Sequence, residues 1–182
     1  MNADADAGAE TAAGRVGAFP GTFNPPTIAH LAIAEAAREA HDLARVDLVL
    51  SRAPIGKEHV VVPAFEDRLA VLARITERLE WLRVVVTDHR LIVDIALGYD
   101  LVIMGADKWE QVNDPRFYNG SMRARDEALR RLPTLALFER EGYDIPPTVD
   151  LDPALRSVSS TSARRGAHHL MAPEARESGL WR

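Results

Sequence analysis

The sequence predicts a doubly wound α/β fold built on a parallel five-stranded sheet, and three observations lead there. Short apolar runs recur at Val16–Phe19, Val46–Leu50, Arg83–Thr87, Leu101–Met104 and Thr134–Phe138. Each run is nearly continuous rather than alternating, as expected of strands covered by helices on both faces. Helix-period patterns lie between the runs, and a β-α-β-α order argues right-handed crossovers in one sheet. Finally, the first run ends in a Gly- and Pro-rich turn that opens directly into an alanine-rich helix, at the sheet edge where such folds bind ligands.

Taken in order, residues 1–14 are small and acidic with no large apolar group, so nothing offsets the entropy of ordering them. They read as a disordered leader to a single domain over 15–182. After the first strand, Gly21 stands where the backbone is expected to need positive φ, and Pro25-Pro26 fixes the helix entry. The helical pattern then runs from about Pro26 to His41. Thr27 and His30, three apart, share one helix face and lean back toward its positive end, where free N–H groups attract phosphate. His41 sits at the far end, where a cation suits the dipole.

Phe65, Leu69, Leu72, Ile75 and Leu79 mark the apolar face of a second helix, with Glu66 and Asp67 in its first turn. Gly105-Ala106-Asp107 directly follows the fourth strand, so Asp107 reads either as a ligand carboxylate or as an N-cap for the next helix. Residues 113–120 form an irregular loop, either a lid or a connector. In the helix beyond it, Arg123 and Glu127, Asp126 and Arg130, and Glu127 and Arg131 are opposite charges at i,i+4, which predicts a solvated face with internal ion pairs.

Composition bounds the function. With 182 residues the chain can bury roughly 70% of its unfolded surface without a staple. There is no cysteine, which excludes thiolate metal sites, cysteine nucleophiles and redox pairs. No apolar run approaches a membrane span, and the start lacks the basic-then-apolar order of a signal peptide, so a cytoplasmic protein with no membrane partner is expected. The net charge of −5 argues against a nucleic-acid partner. His59 and His89 are isolated, and the adjacent His168-His169 have no third ligand at metal spacing, so no metal site is expected. Neither G-x-G-x-x-G nor a P-loop is present, so phosphate binding would fall to helix starts.

Two stretches carry the functional signal. Gly21-Thr22-Phe23-Asn24-Pro25-Pro26-Thr27-Ile28-Ala29-His30 is one, and Val158-Ser159-Ser160-Thr161-Ser162-Ala163-Arg164 is the other. Ser and Thr are strong N-caps whose hydroxyls donate to phosphate oxygens, and arginine offers them a fixed fork. Together these stretches resemble the nucleotidyltransferase superfamily that includes the nicotinate/nicotinamide mononucleotide adenylyltransferases and the phosphopantetheine adenylyltransferases. The first motif there reads G-x-F-x-P-x-[H/T]-x-G-H, matched at Gly21, Phe23, Pro25, Thr27 and His30, with Ala29 in place of glycine. The closing motif, I-S-S-T-x-x-R, is matched at Ser159, Ser160, Thr161 and Arg164, with Val158 for isoleucine.

The resemblance, most like the mononucleotide branch, implies a Rossmann-like nucleotidyltransferase fold and transfer of AMP from ATP to a small phosphorylated acceptor with release of pyrophosphate. It implies that His30 holds the α-phosphate with Thr27 beside it, and that Ser159, Ser160, Thr161 and Arg164 take the β and γ phosphates with help from Lys57. Gly21, Thr22, Phe23 and Gly105 would line the nucleotide, and Asp107 would bind its ribose. Mg²⁺ would arrive on the ATP. Ala29 would crowd a backbone that the nucleotide must approach closely. Family members are often oligomeric, which leaves a homo-oligomer open. A pyridine mononucleotide is expected ahead of phosphopantetheine, although residues 83–100 hold a single aliphatic hydroxyl, Thr87, to grip a pyridine substituent. A non-catalytic nucleotide-binding module is the alternative from another class. A tRNA-charging enzyme fails on size and charge.

Overall fold

A computed structural model describes residues 14–54, 62–144 and 147–182. Five strands, β1 (Val16–Pro20), β2 (Arg45–Ser51), β3 (Leu82–Thr87), β4 (Leu101–Gly105) and β5 (Thr134–Phe138), form one sheet in the order β3-β2-β1-β4-β5. All neighbours run parallel, with Val16 opposite Arg45 and Leu101 opposite Thr134. The expected runs and the observed strands differ by one residue at most ends. The order reverses between β1 and β4, so the loops after these two strands flank the crevice where a doubly wound sheet takes its ligand.

The continuous apolar runs are explained by what covers them. Val46, Leu48 and Leu50 point into one core and Val49 into the other; Ile103 and its neighbours Val102 and Met104 divide the same way. On the first face lie α1 (Ile28–Ala40), α2 (Phe65–Arg78), α6 (Ser160–Arg164) and α7 (Pro173–Ser178). On the second lie α3 (Ile92–Ile95), α4 (Ala106–Asn113) and α5 (Met122–Leu129). The expected face of α2 is the buried one, led by Leu72 and Ile75. The one buried carboxylate pattern inside the sheet is satisfied locally: Asp47 receives Arg45 Nε at 2.7 Å and the Tyr99 hydroxyl at 3.1 Å. Burial, then the Asp47 charge, push the Tyr99 hydroxyl up to about 12.

Several expectations are corrected here. Gly21 does not adopt positive φ; Phe23 does, at 44°. Gly21 is instead required by space, since a Cβ there would meet the Phe23 ring at 2.8 Å. On α5 only Arg123–Glu127 forms among the three expected pairs (2.9 Å), while Arg131 turns to Asp94 and Asp126 to Arg125. His41 caps the end of α1, but burial and then the Arg15 guanidinium hold its pKa below the usual value, so the neutral ring is favoured over a dipole-paired cation. Within residues 113–120, a 3₁₀ turn over Pro115–Tyr118 buries Tyr118, whose hydroxyl donates to the Val112 carbonyl at 2.9 Å. Among the described residues no helix is long and apolar enough to cross a membrane. The leader, apart from Gly14, lies outside the described residues.

Candidate active site

At the carboxyl edge of the sheet, a cleft of about 500 Å³ opens between the loop after β1, the start of α4 and the start of α6. Its wall on the β1 side is a stiff turn. Phe23 is buried edge-on to Phe19, with ring centroids 5.7 Å apart, and packs on His30 at 5.3 Å. Arg68, buried on α2, donates to the Thr22 carbonyl at 2.8 Å and so holds the turn from behind. Desolvation lowers its pKa, Glu66 opposing.

His30 is fixed by the helix start itself. The Thr27 backbone N–H donates to His30 Nδ1 at 3.0 Å, the Thr27 hydroxyl lies 2.8 Å from the same nitrogen, and the pair closes a capping box. With Nδ1 accepting, the ring hydrogen sits on Nε2, which makes His30 a donor. His30 lines the cleft, whereas Thr27 is wholly buried and does not. The structure therefore corrects the expectation for Thr27: its hydroxyl orients the His30 ring instead of facing a ligand. Ala29 is also buried, at 1% exposure, and absent from the cleft wall, so its methyl packs on protein and crowds no ligand there.

The two sequence motifs meet. Ser160 Oγ donates to the Pro25 carbonyl at 2.8 Å, and Arg164 Nη1 donates to the Asn24 carbonyl. Ser159 is the N-cap of α6, accepting from the Ser162 N–H at 3.0 Å. Ser159, Ser160, Thr161 and Arg164 all line the cleft, as do Gly21, Thr22, Phe23, Gly105 and Asp107. Gly105, not Asp107, occupies the N-cap position of α4; a Cβ on Gly105 would strike Asp107 Oδ1 at 2.6 Å. Asp107 thus has no capping role and faces the cleft half-buried, with Arg140 Nε 3.9 Å away. Lys57 lies outside the described residues.

Three contributors were not among the expected site residues. Arg140 lines the cleft and is braced by its bond to the Val158 carbonyl at 3.0 Å. Trp181 is buried and its Nε1 donates to Asn24 Oδ1, clamping the first motif from the far end of the chain. Lys108 lines the cleft as well, and its signal was available: a cation in the first turn of a helix, where acids are favoured. Trp109 packs in the second core rather than on the cleft.

Beside the cleft is a second, apolar pocket of about 70 Å³, walled by Leu91, Ile92 and Ile95 from the α3 region and by Phe117 and Tyr118. Its polar side chains include Thr22, Ser51, Arg90, Lys108 and Gln111. They come mainly from β2 and α4, so the scarcity of hydroxyls in residues 83–100 does not leave the pocket without donors. Among the described residues no cluster of His, Asp or Glu could hold a metal ion.

A cytidylyltransferase-like family model matches residues 18–166, which span both motifs and the cleft between them. The chain belongs to the cytidylyltransferase-like family. Two curated relatives, each named a probable nicotinate-nucleotide adenylyltransferase, are 39% identical to it: one from Geobacillus kaustophilus over 59 residues, one from Salinibacter ruber over 62. These matches cover 32% and 34% of this chain and only 27% and 32% of those proteins. In fold, the chain is similar to the Plasmodium falciparum nicotinic acid mononucleotide adenylyltransferase complexed with APC, at a TM-score of 0.57 and 13% identity over 92% of this chain and 97% of that one.

Proposed function

We propose that this member of the family is an adenylyltransferase that moves AMP from ATP onto the phosphate of a pyridine mononucleotide, most closely nicotinate mononucleotide. The observation that carries this reading is the convergence of the two motifs on one cleft, through Ser160 to Pro25 and Arg164 to Asn24, with His30 facing the same space. The partial identity to relatives named for that activity and the apolar pocket beside the cleft support the choice of acceptor.

In the reaction, an oxygen of the acceptor phosphate forms a bond to the α-phosphorus of ATP while the bond from that phosphorus to the bridging oxygen breaks, and pyrophosphate leaves with the electron pair. No covalent enzyme intermediate is needed, so the protein positions the partners and stabilises charge. His30 Nε2–H donates to the α-phosphate as its negative charge grows. Ser159, Thr161 and Arg164 hold the β and γ phosphates, where the arginine fork suits the departing pyrophosphate. Asp107 accepts from the ribose hydroxyls. Lys57 is proposed as a mobile charge on the same phosphates, and Mg²⁺ enters bound to the triphosphate.

The test supplies ATP and Mg²⁺ with equal concentrations of nicotinate mononucleotide, nicotinamide mononucleotide and phosphopantetheine while pyrophosphate is followed. A pyridine dinucleotide as the main product is expected. Dephospho-coenzyme A as the main product moves the acceptor to the phosphopantetheine branch. ATP binding without pyrophosphate from any acceptor makes the protein a nucleotide-binding module.

A further inference from the structure

The cleft and the apolar pocket share a seam: Pro20, Gly21, Thr22 and Lys108 line both. Only one of these four carries a charge. Lys108 is the third residue of α4, so its ammonium sits at the positive end of the helix dipole, where a cation is disfavoured. It is half-buried, and burial lowers its pKa, Asp107 opposing. Its side-chain partner is neutral: Nζ donates to Gln111 Oε1 at 2.6 Å. Among the described residues no carboxylate pairs with it, and the neighbouring Asp107 is the one near Arg140. A charge kept where dipole and burial oppose it, with only a neutral side-chain acceptor bonded to it, points to an anion supplied by a ligand.

We infer that Lys108 is the residue that receives the acceptor's phosphate at the seam, and so selects phosphomonoesters as acceptors. This rests on the adenylyltransferase reading with the acceptor seated in the apolar pocket. The attacking oxygen must lie between the two compartments, because its target phosphorus belongs to the nucleotide in the cleft and its ring to the pocket. A group that lines both compartments is therefore within reach of the acceptor phosphate. An ammonium has three donors, so Nζ can stay on Gln111 and still present two N–H groups to phosphate oxygens. Gln111 thus holds the charge in place before the acceptor arrives, which keeps the reorganisation small when the charge is needed. Lysine acts here as a point charge, which tolerates the changing shape of a phosphate under attack better than a rigid fork would.

The experiment is a calorimetric titration of nicotinate mononucleotide, and in parallel of phosphopantetheine, into protein saturated with α,β-methylene-ATP. Wild type, Lys108→Met and Lys108→Arg are compared, with Lys108→Gln in place of the methionine variant if that one does not melt cooperatively. Removing the charge is expected to weaken acceptor binding about tenfold to a hundredfold, the loss that follows deletion of one charge-assisted hydrogen bond. Affinity for the ATP analogue should change little, and Lys108→Arg should recover much of the acceptor binding. Equal acceptor affinity in wild type and Lys108→Met overturns the assignment. So does an equal fall in affinity for the ATP analogue, or a wild type that binds neither acceptor. Pyrophosphate release by the wild type, measured separately, decides the adenylyltransferase reading itself.

Discussion

The open cleft and the apolar pocket sit side by side at one sheet edge but are built by opposite means. Key residues of the cleft wall are held by hydrogen bonds to the protein behind them: His30 by the Thr27 box, Ser160 by the Pro25 carbonyl, Arg164 by the Asn24 carbonyl. Most of the pocket's wall is partly or wholly buried apolar side chains such as Ile92, Ile95 and Phe117, held by packing. Polar geometry is intolerant of substitution because each lost partner strands another. Packing geometry is tolerant, since hydrophobic groups of similar volume replace one another at small cost. Under the proposed function, a family can therefore keep the nucleotide side and vary the acceptor side.

The largest expected effect tests the polar half of this contrast. His30→Ala should lower kcat about 10²- to 10³-fold, the usual result of losing one preorganised donor to a developing charge, while the protein still melts cooperatively. Unchanged kcat would remove His30 from the transition state. Arg164→Ala should weaken ATP and pyrophosphate binding about tenfold to a hundredfold, as expected for one charged hydrogen-bonding group. AMP binding should barely change in calorimetry; if it falls equally, Arg164 does not hold the leaving group.

On the packed side, Ile92→Ala should raise the acceptor KM about three- to tenfold, since half-burying an isoleucine contributes roughly half of the 1.5–3 kcal/mol of full burial. The ATP KM should stay put, and a matching rise there would erase the distinction between the compartments. Ala29→Gly, in the first turns of α1, should destabilise by up to about 1 kcal/mol and leave ATP affinity unchanged, because its methyl already packs inside the protein. Tighter ATP binding would show that the methyl does meet the nucleotide. Smallest is a control outside both compartments. His41 has a folded pKa below 6.5, so the unfolded chain takes up its proton first; stability is complete above that pH and falls as pH drops below it. Thermal melts of His41→Asn should show a shallower loss between pH 7 and 5 than wild type.

The same contrast explains what could be read from the sequence. Strands buried on both faces announce themselves as apolar runs, and all five were legible to within a residue or so. The cleft was legible because hydroxyls, an arginine and a histidine at helix starts form local patterns. The pocket was not, since Ser51, Ile95, Phe117 and Gln111 come from four separate segments and none differs from an ordinary core or surface residue. Thr27 was placed on the correct face but given the wrong task, because a helix wheel cannot tell a side chain aimed at a ligand from one aimed at its neighbour three residues on. Gly21 was singled out correctly for a different reason: the space it leaves is filled by Phe23, two residues later.

Asn24 and Trp181 are 157 residues apart in sequence, yet the indole of one holds the amide of the other. During synthesis at about 5–20 residues per second, roughly 8–30 s separate their incorporation into the chain. The five strands are all made by residue 138, well before the indole exists. A growing chain can thus contain all five strands while the turn before His30 still lacks its indole brace. The turn before His30 acquires its final support last, so a nascent chain passes through an interval in which it has its scaffold but not yet its finished turn.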